Sequence, residues 1–220
     1  MNKDLKQRGK LRTYESELED SFSFVLSEAD QLYQGQGRLR KTYERLAKRL
    51  DELGVSYSLV GGYVLILHGV RRFTEDIDLL VSREGLVKLH NELIGRGYVL
   101  AAPGSRNLRD VETGVQIEFV VTGELPGGGK PKPVAFPDPG AGVEIHEDIK
   151  VIDLKLLIEL KLASGMTAKA HLQDLADVQR LIQQHHLTAD FAKQLHPYVR
   201  RGKYRERNST PIDTQTPKIS

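Results

Sequence analysis

Two aspartates one residue apart, Asp76 and Asp78, head the run DIDLLV. In an extended strand successive side chains alternate between faces, so both carboxylates project from one side while Ile77 and Leu79 project from the other. Carboxylates so close repel each other unless a cation lies between them. A hard divalent ion with oxygen ligands suits the pair, and Mg²⁺ prefers one or two carboxylates plus substrate phosphates to an all-protein cage. A third acid, Glu118, interrupts the apolar stretch VQIEFVV, where an unpaired carboxylate would be costly. If its strand neighbours that of Asp76 and Asp78, the three acids converge as a two-metal phosphoryl-transfer site requires. One ion would lower the pKa of an attacking hydroxyl, and the other would hold a triphosphate and its leaving pyrophosphate. The alternative for Glu118 is a glutamate on an edge strand facing solvent.

Gly61-Gly62 fits the same chemistry. Glycines at a strand-to-helix turn let the backbone approach a phosphate closely, and the helix that follows offers free N–H groups to an anion. Arg72 could bind a triphosphate or pair with Glu75 or Asp110. Lys161 stands in an apolar helix among Leu156, Leu157, Leu160 and Leu162, where a lysine can snorkel to the surface. Asp174 and Asp177 are expected to organise a helix pair or to bridge to Lys161 or Lys169. The seven histidines (His68, His90, His146, His171, His185, His186 and His196) are scattered along the chain, and no metal site is expected from them. The absence of cysteine removes disulfides, thiolate metal sites and a cysteine nucleophile. A Gly-x-Ser-x-Gly elbow is also missing.

The elements that must position these residues can be read from periodicity. Leu39, Tyr43, Leu46, Leu50 and Leu53 form one apolar stripe of a helix over 38–53, stopped by Gly54. A strand at 57–60 runs into Gly61-Gly62, and YVLILHG reads as a short buried helix. The strand at 76–81 precedes a helix from Glu84 to Arg96, with Leu86, Leu89, Leu93 and Ile94 inward and Gly97 beyond its end. Strands at 107–112 and 115–121 make a hairpin turning at Thr113-Gly114. Residues 122–142, with Gly127 to Gly129 and five prolines, read as an exposed loop or lid. From there the chain is expected to turn helical, with Asp153 as N-cap of DLKLLIELKLAS and further helices at His171–Gln184 and Leu187–Tyr198.

Residues 14–33 suggest a polar helix that packs loosely or swaps onto a partner. The reading divides the chain into an N-terminal polar helical extension (1–37), a core (38–150), a C-terminal helical unit (151–200) and a disordered basic and polar tail (201–220). The formal net charge is only +2, but basic residues crowd 3–12 and 200–207. Such clusters are solvated tails in the first instance and contacts for phosphate backbones in the second. No stretch of 18 or more apolar residues would span a bilayer, and the charged N-terminus lacks the core of a secretory signal, so a cytoplasmic protein is expected.

A Gly-Gly turn, an acid-hydrophobic-acid strand and a later single acid on a strand together resemble the nucleotidyltransferase superfamily. Here these are Gly61-Gly62, thirteen intervening residues, Asp76-Ile77-Asp78 and Glu118. Arg72-Phe73-Thr74-Glu75 just upstream resembles the Arg-x-Thr-x-Asp form found in the bacterial AbiEii-like branch of toxin–antitoxin and abortive-infection systems. Leu160-Lys161-Leu162-Ala163 and Asp174-Leu175-Ala176-Asp177 resemble that branch's later motifs, with Gln173 where an Arg or Lys is usual. The resemblance covers roughly 55–185. It implies an α+β fold, polymerase-beta-like, with a mixed sheet, flanking helices and a C-terminal helical unit walling a cleft.

For the site the resemblance implies Asp76, Asp78 and Glu118 as metal ligands for Mg²⁺ or Mn²⁺, with an NTP such as ATP as substrate. Gly61, Gly62, Arg72, Thr74 and Lys161 would bind the nucleotide. The acceptor hydroxyl could belong to RNA, a protein or a small molecule, and a cognate antitoxin is a further expected partner. A catalytically silent nucleotide-binding or partner-binding module of the same fold is the alternative. A glycosyltransferase using Asp-x-Asp would need a longer nucleotide-binding region than the 75 residues before Asp76.

Overall fold

The computed structural model describes residues 13–128, 131–167 and 171–200. The strands β1 (Tyr57–Val60), β2 (Asp76–Val81), β3 (Tyr98–Leu100), β4 (Leu108–Asp110), β5 (Gln116–Val121), β6 (Val143–His146) and β7 (Ile149–Ile152) form one sheet in the order β3-β4-β5-β2-β1-β7-β6. The sheet is mixed: β2 lies parallel to β5 and β1 parallel to β7, while β1 and β2 run antiparallel. β2 is central, and Ile77, Leu79, Leu80 and Val81 are fully buried. The expected architecture, a mixed sheet with flanking helices and a helical end, is what the chain adopts.

The helix α3 (Arg38–Glu52) buries Leu39, Tyr43, Leu46 and Leu50, the stripe read from the sequence. Ahead of it, residues 14–33 form two helices, α1 (Tyr14–Asp20) and α2 (Phe22–Tyr33). Ser21 separates them in an extended conformation, and its side chain accepts from the Phe24 N–H as the N-cap of α2. The inward face of this segment is packed, not loose. Tyr14, Leu18 and Leu32 join the core of their own chain, and the Tyr14 hydroxyl donates to Glu28 Oε2 at 3.1 Å.

Further along, α4 (Gly61–Leu67) is the short buried helix expected after β1. The helix α5 (Arg83–Leu93) ends earlier than its sequence suggested, and Ile94, expected to face inward, is extended and 39% exposed. Beyond 142 the chain does not turn helical at once: β6 and β7 pair as an antiparallel hairpin. Their turn residues, Glu147 and Asp148, both have positive φ, as a tight primed turn demands. Neither carries the usual Asn-Gly signature, so the hairpin left little mark in the sequence.

Among the described residues of 122–142, many are exposed, as expected of a loop, but several are tied down. Gly123 N–H donates to Phe136 O, Phe136 N–H to Glu124 O, and Val134 is buried. After the hairpin, Asp153 caps α6 (Leu154–Gly165), its side chain accepting from Leu156 N–H. The helix α7 (Leu172–Gln184) packs against α6. The expected helix over 187–198 is instead a 3-10 turn, Phe191–Gln194, and a short α8 (Pro197–Arg200). Pro197 cannot donate an internal helical hydrogen bond, so it opens a helix instead of continuing one. The basic cluster at 3–12 and the tail at 201–220 lie outside the described residues, as does Lys169. No helix among the described residues is long and apolar enough to cross a membrane.

Candidate active site

Alternation along β2 puts Asp76 and Asp78 on one face of the sheet, and the parallel register sets Asp78 beside Glu118 of β5. Oxygens of all three carboxylates lie within 4.8 Å of one another. Glu118 is therefore not on an edge strand: β4 covers the far side of β5.

Burial, then the charges of Asp76 and Glu118, push the Asp78 carboxyl up from its ordinary value to about 7, while the Gly62 N–H and Lys161 pull it down. Three such acids cannot all hold their charge at neutral pH without a cation among them. Among the described residues no cation bonds to the three acids: Lys161 Nζ bonds to Asp174 and Asp177, 2.9 Å from each. The donor set is all oxygen, which fits a hard divalent ion.

The glycine turn is built around these acids. Gly61 has φ +71°, and a Cβ there would lie 1.8 Å from Asp78 Oδ2. A Cβ on Gly62 would meet Thr74 Oγ1 at 2.6 Å. Only glycine lets this backbone pass so close to the carboxylate, and Gly62 N–H points to Asp78 Oδ2 at 3.4 Å. Thr74 Oγ1 donates to Asp76 Oδ1 at 3.0 Å, and Gln116 Nε2 to Glu118 Oε1 at 2.7 Å. Each acid is thus oriented by a neighbour.

A cavity of about 280 Å³ opens over Asp78 and Gly61 and is walled by α6 (Leu157, Lys161, Ser164) and the 122–142 segment (Glu124, Phe136). Asp174 of α7 completes the far wall. Lys161 is buried and faces this space while bonded to Asp174 and Asp177. Arg72 pairs with neither Glu75 nor Asp110: its Nη1 donates to Asp177 Oδ2 at 2.9 Å. Gln173 Nε2 adds a bond to Asp177 Oδ1 at 3.0 Å, so fully buried Asp177 gathers donors from three segments.

The sequence reading missed Arg106, whose Nη1 holds both oxygens of Glu124 at 2.6 and 2.7 Å beside the cavity. It also missed Ser164, which donates to Asp174 Oδ2 at 2.6 Å. Ser164 follows Lys161 by three positions, the helical spacing that could have flagged it. Nothing local marks Arg106, because its partner comes from a loop.

No family model and no curated protein matches the chain. Among solved structures it is similar to an antigenic nucleotidyltransferase-like protein from Paracoccidioides brasiliensis, at 16% identity and TM-score 0.43 over 71% of this chain and 77% of that one. It is also similar to the antibiotic-resistance factor ANT(2″)-Ia, at 10% identity and TM-score 0.49 over 71% and 86% of the two chains. A structure of ANT(2″)-Ia with adenylyl-2″-tobramycin gives 10% identity and TM-score 0.46 over 70% and 97%. Likenesses at these scores carry no argument, and the functional reading rests on the site itself.

Proposed function

We propose that the chain is a Mg²⁺-dependent nucleotidyltransferase of the nucleotidyltransferase superfamily. It would move a nucleoside monophosphate from an NTP to an acceptor hydroxyl and release pyrophosphate. The observation that carries this reading is the register of β2 and β5, which sets Asp78 beside Glu118 under a glycine turn that admits no side chain.

In this reading Asp76, Asp78 and Glu118 hold the ion, for which their all-oxygen set is suited. When bound, Mg²⁺ supplies Lewis-acid stabilisation of the triphosphate charge and of the attacking oxygen. Gly61 and Gly62 let the triphosphate lie against the backbone at the start of α4. The acceptor oxygen bonds to the α-phosphorus as the bond to the β-phosphate oxygen breaks, and Glu118 receives the hydroxyl proton. Lys161 would offer a hydrogen-bond donor from the α6–α7 side of the cleft, with Asp174 and Asp177 fixing its position and Arg72 sharing Asp177. Leu157, Leu160 and Phe136 give the cleft a partly apolar wall.

The test is incubation of the purified protein with each α-labelled NTP, Mg²⁺ and total RNA, protein extract or aminoglycoside acceptors, with Asp76→Asn/Asp78→Asn in parallel. Label transfer by the wild type alone is expected, and the labelled fraction identifies the acceptor. Equal transfer by both proteins, or none to any acceptor class, removes the proposal.

A further inference from the structure

The sequence reading expected no metal site from the histidines, yet the fold brings three of them together. His68 is the C-cap of α4, and its ring lies 4.9 Å from that of His146 and 5.5 Å from that of His185, centroid to centroid. Glu144 and His146, two residues apart on β6, project from one face of the sheet-edge hairpin. His146 Nε2 lies 3.0 Å from Glu144 Oε2. One donor atom each from His68, Glu144 and His146 falls within a 4.8 Å group.

We propose that His68, Glu144 and His146 form a second metal site, for a divalent transition ion of the zinc class, where the C-terminus of α4 meets the β6–β7 hairpin. The independent observation is the state of His68. It is only 5% exposed, and its Nε2 is a buried polar atom with no hydrogen-bond partner. An orphaned buried nitrogen is costly, and a metal is one of the few partners that would satisfy it.

His185 acts as a positioning residue. Its Nε2 lies 3.0 Å from the His68 carbonyl oxygen, so α7 holds the backbone that carries the buried ligand. Two imidazoles and one carboxylate are a borderline donor set suited to zinc, distinct from the hard all-oxygen set of Asp76, Asp78 and Glu118. Zinc takes its nitrogen ligands at about 2.0–2.1 Å, so binding would draw the three donors inward. His146 also lines a separate cavity of about 220 Å³ with Tyr63, Arg40 and Glu147. The consequence is a clip joining the last strand of the sheet to the helix whose other end carries Gly61.

The experiment uses full-length protein without a polyhistidine tag, dialysed against zinc in excess Mg²⁺ and analysed for bound metal. Asp76→Asn/Asp78→Asn serves as background so that the acidic site cannot contribute. One equivalent of zinc with sub-micromolar affinity is expected in this background. Adding Glu144→Gln/His146→Ala, at half-exposed and partly exposed positions, should weaken binding by about 100-fold or more. Cobalt substitution should give visible absorption of a four- or five-coordinate centre that the added changes abolish. Failure to bind zinc at micromolar concentration, or undiminished binding after Glu144→Gln/His146→Ala, overturns the proposal. In that case Glu144 and His146 are a surface pair and nothing more. Because nucleotidyl transfer is not measured, the outcome is independent of the proposed activity.

Discussion

Asp78 is the residue on which chemistry and stability collide. With its carboxyl pushed up to about 7, the folded state binds its proton more tightly than the unfolded chain does. The stability this proton contributes is complete below the ordinary carboxylate pKa and is lost as pH rises through about 7. Metal-free Asp78→Asn should therefore melt above the wild type at pH 8 and by a smaller margin at pH 5, followed by circular dichroism. Added Mg²⁺ should raise the melting temperature of the wild type at pH 8 and leave that of the variant nearly unchanged. The same substitution is expected to lower label transfer by at least about 100-fold. Gly61→Ala is a sharper probe, because its Cβ would occupy the Asp78 carboxylate's place and φ is positive. It should cost about 1–3 kcal/mol in urea unfolding and abolish turnover. Both residues were legible in the sequence, since acid alternation and a glycine pair are local patterns. The histidine cluster was not, because it joins residues that only tertiary structure makes neighbours.

At the level of elements, the α6–α7 pair is fastened by polar bonds as much as by its apolar contact. Asp177 accepts from Lys161, Arg72 and Gln173 with no exposure to solvent. Removing it in Asp177→Ala leaves buried Lys161 with only Asp174, and a loss of about 3–5 kcal/mol in equilibrium urea unfolding is expected. Arg72, from the loop before β2, brings a guanidinium to the aspartate that Gln173 also contacts. That pairing could not be seen along the chain, because 105 positions separate the partners. Strands β6 and β7 were missed for another reason. Each has four residues, and their Glu-Asp turn hides a conformation normally announced by Asn-Gly.

For the whole molecule, the helices before residue 37 behave as part of the core. Tyr14 N–H bonds to Gly114 O, Arg38 clasps Glu17, and Arg109 holds Glu15, which ties α1 to the turn between β4 and β5. Tyr14→Ala, at a fully buried ring, should cost about 3–5 kcal/mol in denaturant unfolding, whereas loss of a detachable extension would cost nothing. Periodicity foretold the helices and the mixed sheet, but the polar sequence of 14–33 concealed how much of it is buried. The parallel register of β2 and β5 has one more consequence. Slipping β5 by one residue would swing Glu118 to the opposite face, and slipping it by two would set Gln116 or Val120 beside Asp78. Between those settings there is no halfway position. A chain paired one residue out would keep Asp76 and Asp78 together on β2 but turn Glu118 away from them, so a metal held by all three acids would report the strand register itself.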